Sequence, residues 1–244
     1  MVGEKMYIYN KKVLYSDIDA NSNMSIEGIM NAIQDCININ SEAIGKGIAY
    51  MHSTKKAWFA ISWNIEVKRF PELFEELEVK TWPYAFTTSM GYRNVVITDV
   101  KGEDIICADS FWSMVDIATG RPVKIEESDT EGYELEEQYP MTSLGRKIKL
   151  PDCFSDAETV KVRKAYIDFN GHMGNAKYIQ LADEYIPQGA VVKRIRVEYK
   201  NQSKYGEALL LAMAVEHTDE GQRVVVKISG NEAGDIKAVV EYLL

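Results

Sequence analysis

The chain has 244 residues, 46% of them hydrophobic and 27% charged, with a formal net charge of −9. Such a chain suits a globular protein of two modules, each of about 100–140 residues. The acidity argues against general nucleic-acid binding, which needs a basic surface, and no run approaches the roughly 20 apolar residues that span a bilayer.

In chain order, Met1–Asn10 mixes charged and aromatic residues and has no apolar signal core. Residues 19–24 read Asp19-Ala20-Asn21-Ser22-Asn23-Met24, and apolar residues at 26, 29, 30, 33, 36 and 37 then follow helical spacing. Ile65-Glu66-Val67-Lys68, Val95–Val100, a Lys101-Gly102 turn and Ile105–Val115 read as antiparallel strands joined by hairpins. Seven acidic residues crowd positions 126–137, followed by Pro140 and Pro151, which reads as a solvated linker. Residues 168–173 then read Asp168-Phe169-Asn170-Gly171-His172-Met173, repeating the frame D-x-N-x-(N/H)-M. Apolar residues at 178, 179, 181, 182 and 185 predict a second helix over 174–185, stopped near Pro187. Val197-Glu198-Tyr199-Lys200, Val224–Ile228, a Gly230-Asn231 turn and Ile236–Leu243 repeat the strand pattern of the first half.

The repeat predicts an α+β chain of two similar modules, each a sheet on one long helix. The expected boundaries are 1–125 for the first module, 126–160 for the acidic linker and 161–244 for the second module. Placing the modules side by side in one sheet would remove an exposed edge. The charge is uneven: the first 150 residues carry 16 basic and 23 acidic side chains, the remainder 12 and 14. Two basic runs, Lys161/Arg163/Lys164 and Lys193/Arg194/Arg196 with Lys200 and Lys204, lie close in sequence to the second loop. They are either ordinary solvated lysines and arginines or a docking patch for an acidic partner. Cys36, Cys107 and Cys153 are odd in number and form no C-x-x-C, as in a protein of the reducing cytoplasm. There is no metal-binding cluster, P-loop or G-x-G-x-x-G turn, so neither metal nor cofactor is expected.

The two loops differ at their fifth position, Asn23 against His172. An amide cannot shuttle a proton near neutral pH and an imidazole can, so one site per chain is expected, in the second module. In an extended segment Asp168, Asn170 and His172, at i, i+2 and i+4, would point to one side. Gly171 and Gly174 allow a tight turn and close approach of a ligand, and the helix start offers unpaired amides for developing negative charge. These are parts that thioester hydrolysis needs: a proton acceptor for water and donors for an oxyanion. Asp and Asn ahead of a helix are also common caps, which accounts for Asp19 and Asn21 in full. His52 and His217 lack comparable neighbours.

The run Asp168-Phe-Asn170-Gly-His172-Met-Gly-Asn175-Ala-Lys177-Tyr178 resembles the active-site signature of the acyl-acyl-carrier-protein (acyl-ACP) thioesterases, roughly D-x-N-x-H-x-N-N-x-x-Y. Tyr15-Ser-Asp17-Ile-Asp19, the Trp58–Phe70 strand, Thr119–Ile125 and Val197–Lys200 match in the same order, so the resemblance covers nearly the whole chain. It implies two tandem hotdog modules forming a pseudo-dimer, either monomeric or further paired as a homodimer. It also implies a catalytic set of Asp168, Asn170 and His172, one bound fatty acyl chain, an acyl carrier protein partner and a place in fatty acid biosynthesis. The first module would supply much of the acyl pocket, with Ile26, Met30 and Ile33 as candidate lining beside their role as core. Where the plant enzymes carry a Glu-Cys pair, this chain has Gln202-Ser203. Glutamine can orient a water but cannot deprotonate it, so the base is Asp168 or His172, with Gln202 assisting. Gly174 replaces the signature's first Asn after the His, at the helix start where the substrate carbonyl would bind. An acyl-CoA thioesterase of the same chemistry and a non-catalytic acyl-binding module are the competing readings.

Overall fold

The computed structural model describes residues 6–155, 157–232 and 234–244; the first five residues of the N-terminal stretch lie outside them. The chain divides into two compact units, residues 1–61 with 68–143, and residues 62–67 with 144–244.

The first unit contains β1 (Tyr7–Lys12), α1 (Ile26–Ala43), the short α2 (Ile48–Thr54), the first half of β2 (Lys56–Val67), β3 (Glu76–Phe86), β4 (Met90–Asp99), β5 (Asp104–Asp116) and the single turn α3 (Glu127–Thr130). Its strands are ordered β1-β3-β4-β5-β2, with β1/β3, β3/β4 and β4/β5 antiparallel. Ser25 starts α1 by accepting the Gly28 amide on Oγ at 3.0 Å. Gly28 has to be glycine, because a Cβ there would lie 2.5 Å from the Asp17 carbonyl oxygen. α1 runs beyond the apolar pattern that predicts it, through Asn40, whose Oδ1 accepts from Arg93 at 2.9 Å. It lays Ile29, Met30, Ile33 and Cys36 onto β1 and β3. Burying each such side chain is worth about 1.5–3 kcal/mol.

The second unit contains β6 (Glu158–Lys161), a 3-10 turn (Lys164–Tyr166), α4 (Asn175–Asp183), β7 (Arg194–Tyr199), β8 (Ala208–Thr218), β9 (Gly221–Ser229) and β10 (Ile236–Leu243). Its order is β6-β8-β9-β10-β7, with residues 62–66 of β2 paired antiparallel to β7. Strand for strand this repeats the first unit, and each unit carries a helix on its sheet, 18 residues long in the first; in the second, where one long helix is expected, α4 has only 9. α4 packs on β10, where the buried Tyr242 hydroxyl donates to the Ile179 carbonyl at 3.1 Å.

In the acidic stretch Glu126, Glu127, Glu131, Glu134 and Glu137 are exposed, as in a solvated linker, but the segment is also anchored at several points. Asp129 is 1% exposed, bonded to Lys56 Nζ at 2.8 Å and the Tyr50 hydroxyl at 2.9 Å. Tyr139 packs on the Trp82/Val96/Cys107 cluster of the first unit, and Ile148, Leu150 and Phe154 pack with Val225 and Val239 of the second. Each sheet has a second apolar face, and this stretch covers part of both. Its seven acidic residues conceal that role from a reading of charge alone.

Candidate active site

The two D-x-N-x-(N/H)-M loops are built alike. In the first, the Asp19 amide donates to the Asn23 carbonyl at 2.8 Å, and Asp19 Oδ1 accepts the amides of Asn21 at 2.9 Å and Asn23 at 3.1 Å. In the second, the Asp168 amide donates to the His172 carbonyl at 2.8 Å, and Asp168 Oδ1 accepts the amides of Asn170 at 2.8 Å and His172 at 3.3 Å. The fourth residue of each is left-handed, Ser22 at φ 64° and Gly171 at φ 79°. The sixth is tied to the same place: the Met24 amide donates to the Pro71 carbonyl at 2.7 Å, and the Met173 amide to the Ser203 carbonyl at 2.9 Å. Phe70 therefore stands where Gln202 stands.

This geometry corrects the extended-strand expectation. The Asp168 carboxylate closes a tight turn by taking the backbone amides of Asn170 and His172, as Asp19 does in the other copy. One oxygen of Asp168 is committed to the loop, while Oδ2 has no hydrogen bond among the described residues. Asp168 and Asn170 are exposed and His172 is half-buried, with its Nδ1 enclosed and without a hydrogen-bond partner. A buried nitrogen left unpaired is costly unless it has work to do. Gln202 is exposed, one residue from the backbone bond that anchors the loop.

α4 begins at Gly174, which has extended backbone and no side chain to cap the helix. The Lys177 amide donates to the Gly174 carbonyl at 3.0 Å, where in α1 the Ser25 side chain takes the Gly28 amide, and among the described residues the amides of Asn175 and Ala176 have no hydrogen-bond partner. The sequence alone did not reveal what holds this end. The Tyr178 hydroxyl bonds Ser203 Oγ at 2.9 Å, both groups buried. The Tyr199 hydroxyl donates to the Asn175 carbonyl at 3.0 Å. The Tyr178 and Tyr199 rings meet edge to face at 5.8 Å. Burial raises both phenols above their ordinary range, with the Ser203 bonds partly offsetting it at Tyr178. Lys237 donates to the Gln202 carbonyl at 3.2 Å; burial works against its charge, but Asp235 and Glu207 outweigh it and hold the ammonium above its usual pKa. The only advance signals were Tyr178 in the motif and Ser203 beside Gln202; nothing marked Lys237.

Ile26, Met30 and Ile33 are closed into the core of the first unit. A cavity of about 200 Å³ in that unit is lined instead by Met6, Asn40, Thr81, Pro83, Tyr133 and neighbours. The basic run at 193–196 is not a free patch. Arg196 is 8% exposed and bonds Glu241, and Arg194 pairs with Glu220. Among the described residues no group of three or more His, Cys, Asp and Glu is arranged to hold a metal ion. Among the same residues no helix is long and apolar enough to cross a membrane.

Residues 4–133 match the acyl-ACP thioesterase N-terminal domain and residues 152–242 the C-terminal domain of the same family. The chain is 23% identical to the oleoyl-acyl carrier protein thioesterase 2 of Arabidopsis thaliana, over 98% of this chain and 71% of the relative. It is 27% identical to the palmitoyl-acyl carrier protein thioesterase of the same plant, over 84% of this chain and 54% of the relative. Among solved structures, an acyl-ACP thioesterase from Bacteroides thetaiotaomicron shares the fold with TM-score 0.86 at 21% identity, covering 98% of this chain and 97% of that one. The 12:0-ACP thioesterase from Umbellularia californica does so with TM-score 0.85 at 16% identity, covering 100% and 98%. With both domain models matched in order across most of its length, the chain belongs to the acyl-ACP thioesterase family.

Proposed function

We propose that the protein hydrolyses the thioester of a fatty acyl-ACP to a free fatty acid and holo-carrier protein, within fatty acid biosynthesis. The observation that carries this reading is the pair of loops. They match in backbone bonding, turn conformation and anchoring, and differ in the one side chain able to exchange a proton near neutral pH, His172. His172 takes a proton from water as the water oxygen attacks the thioester carbonyl. The oxyanion is met by the unpaired amides of Asn175 and Ala176, placed by the uncapped Gly174 at the start of α4. Collapse of the tetrahedral intermediate breaks the C–S bond, and the thiolate takes the proton back from His172. Asp168 fixes the loop through Oδ1, and Asn170 and Gln202 orient the water. The thiolate leaves readily, so no covalent intermediate is needed.

The repeated strand order, with a helix following the matching loop in each unit, supports tandem hotdog modules related as a pseudo-dimer, the second catalytic. Composition and three cysteines outside any disulfide favour a cytoplasmic setting. A panel of acyl-ACPs and matching acyl-CoAs, with free acid and free thiol both measured, tests the activity. Equal amounts of acid and thiol from acyl-ACPs are expected. Cleavage of acyl-CoAs alone would favour the CoA-thioesterase reading, and cleavage of neither the acyl-binding one.

A further inference from the structure

Four cations lie around the His172 loop with no carboxylate partner among the described residues: Lys161, Arg163, Lys164 and Lys204, all exposed. Three backbone seams draw them together. The Val162 amide donates to the Glu207 carbonyl at 2.8 Å, and the Gly206 amide to the Val162 carbonyl at 3.0 Å, joining the end of β6 to the 203–207 loop. The Gly174 amide donates to the Tyr166 carbonyl at 2.9 Å, joining the 3-10 turn to the start of α4. The Met173 amide donates to the Ser203 carbonyl at 2.9 Å, joining the His172 loop to the residue before Lys204. Lys164 Nζ also sits 5.8 Å from the centroid of the Tyr205 ring. Two aromatic rings stand exposed in the same region, Tyr205 at 59% and Phe169 at 69%. Of the nearby acids, Glu207 is engaged by Lys237, and Asp168 spends one oxygen on its own loop.

We propose that Lys161, Arg163, Lys164 and Lys204, with Tyr205 and Phe169, form the docking surface for an acidic carrier protein presenting its acyl thioester to His172. This rests on the hydrolase reading and specifies where its partner binds. A partner whose arm must reach the His172 loop has to touch the rim of that loop, and this is the rim. In a chain of net charge −9, approach of an acidic protein needs a local positive field to overcome the overall repulsion. Five other cations of the second unit are engaged: Arg196 and Arg223 by Glu241, Arg194 by Glu220, Lys200 by Glu198 and Lys237 by Asp235; Arg146, Lys147 and Lys149 are exposed too, but on a segment that none of these seams joins to the His172 loop. Exposed aromatic rings interspersed with unpaired cations suit a protein partner, because aromatic residues and Arg are enriched at such contacts. Lys and Arg also bind nucleotide phosphates, and the acyl-CoA arm of the test separates that outcome from a protein partner.

The test is the quadruple variant Lys161→Glu/Arg163→Glu/Lys164→Glu/Lys204→Glu, with the milder Lys161→Gln/Arg163→Gln beside it. The substrates are an acyl-ACP, the matching acyl-CoA and a short acyl-pantetheine. The quadruple variant should lower kcat/KM on acyl-ACP about tenfold or more at low salt, with the deficit shrinking as the Debye length falls to about 8 Å at physiological ionic strength. The double variant should show a smaller loss of the same kind, and acyl-pantetheine turnover should stay at the wild-type rate. Unchanged kcat/KM on acyl-ACP overturns the proposal, as does an equal loss on acyl-ACP and acyl-CoA, which would assign the patch to a phosphate. Equal loss on all three substrates in both variants also overturns it, by making these residues part of the site's own support. Titration with a non-hydrolysable acyl-amide carrier protein separates the two readings. Wild-type binding that the reversal abolishes, without cleavage, refutes the hydrolase and keeps the docking surface. Cleavage with unaltered affinity in the reversal does the opposite.

Discussion

Arg196 lies in the basic run that sequence alone offers as a docking site, and the structure gives it a different role whose size can be worked out. Its Nη1 bonds Glu241 Oε1 at 3.0 Å. Its Nη2 lies 3.2, 3.2 and 3.0 Å from the carbonyl oxygens of Leu144, Gly145 and Lys147. One Nη2 carries two protons, so no more than two of those contacts are full hydrogen bonds. Removing one partner of a buried ion pair costs about 3–5 kcal/mol. In Arg196→Met the apolar stem is retained and Glu241 keeps Arg223, whose Nε donates to it at 2.6 Å. The lower end, about 3 kcal/mol, is therefore expected; at about 2–4 °C per kcal/mol for a chain of this size, Tm falls by about 6–12 °C. Thermal unfolding together with steady-state kinetics well below Tm is the assay. The variant should unfold early yet keep its KM for acyl-ACP. A Tm within 2 °C of wild type together with a raised KM would refute the structural role and return Arg196 to the docking surface.

Three further outcomes follow from the same geometry. Asn23→His in a His172→Ala background should restore no hydrolysis, because the first loop has Phe70 in place of Gln202; recovered turnover would contradict a single site. Ser203→Ala should cost about 1–3 kcal/mol by leaving the buried Tyr178 hydroxyl without its partner. Tyr178→Phe in that background should cost much less than it does alone, and additivity in the double-mutant cycle would deny the bond. In the native protein a thiol reagent should label Cys153 quickly and leave Cys107 and Cys36 unlabelled, since both are buried and burial pushes the Cys36 thiol up to about 12; fast labelling of all three would contradict the packing of α1 on β3.

The duplication was legible because each half repeats a six-residue frame followed by a helical apolar stripe and Val/Ile-rich runs. Those signals are local and survive without knowledge of packing. β3 was not legible: Pro83 interrupts it, with a register shift between Pro83 and Ala85. Position carried the candidate residues, but the extended-strand rule gave the wrong reason, since an Asp side chain bonding its own loop overrides strand alternation. The Tyr178–Ser203 bond joins residues 25 apart in the sequence, and no periodicity marks such a pair. The pairing of Arg196 and Asp129 is hidden in the sequence for a related reason. Charge in a sequence suggests solvent, and only the fold reveals that Glu241 and Lys56 stand ready to pair with them.

The most direct test of the account is His172→Ala compared with the wild type on one acyl-ACP, with holo-carrier-protein release followed over time. A general acid–base group contributes about 10²–10⁴-fold, and among the described residues the His172 side chain makes no hydrogen bond that would support the fold. The account predicts a variant with wild-type Tm and turnover reduced by about 10²-fold or more. Turnover within a few-fold of wild type would contradict it and remove His172 from the chemistry.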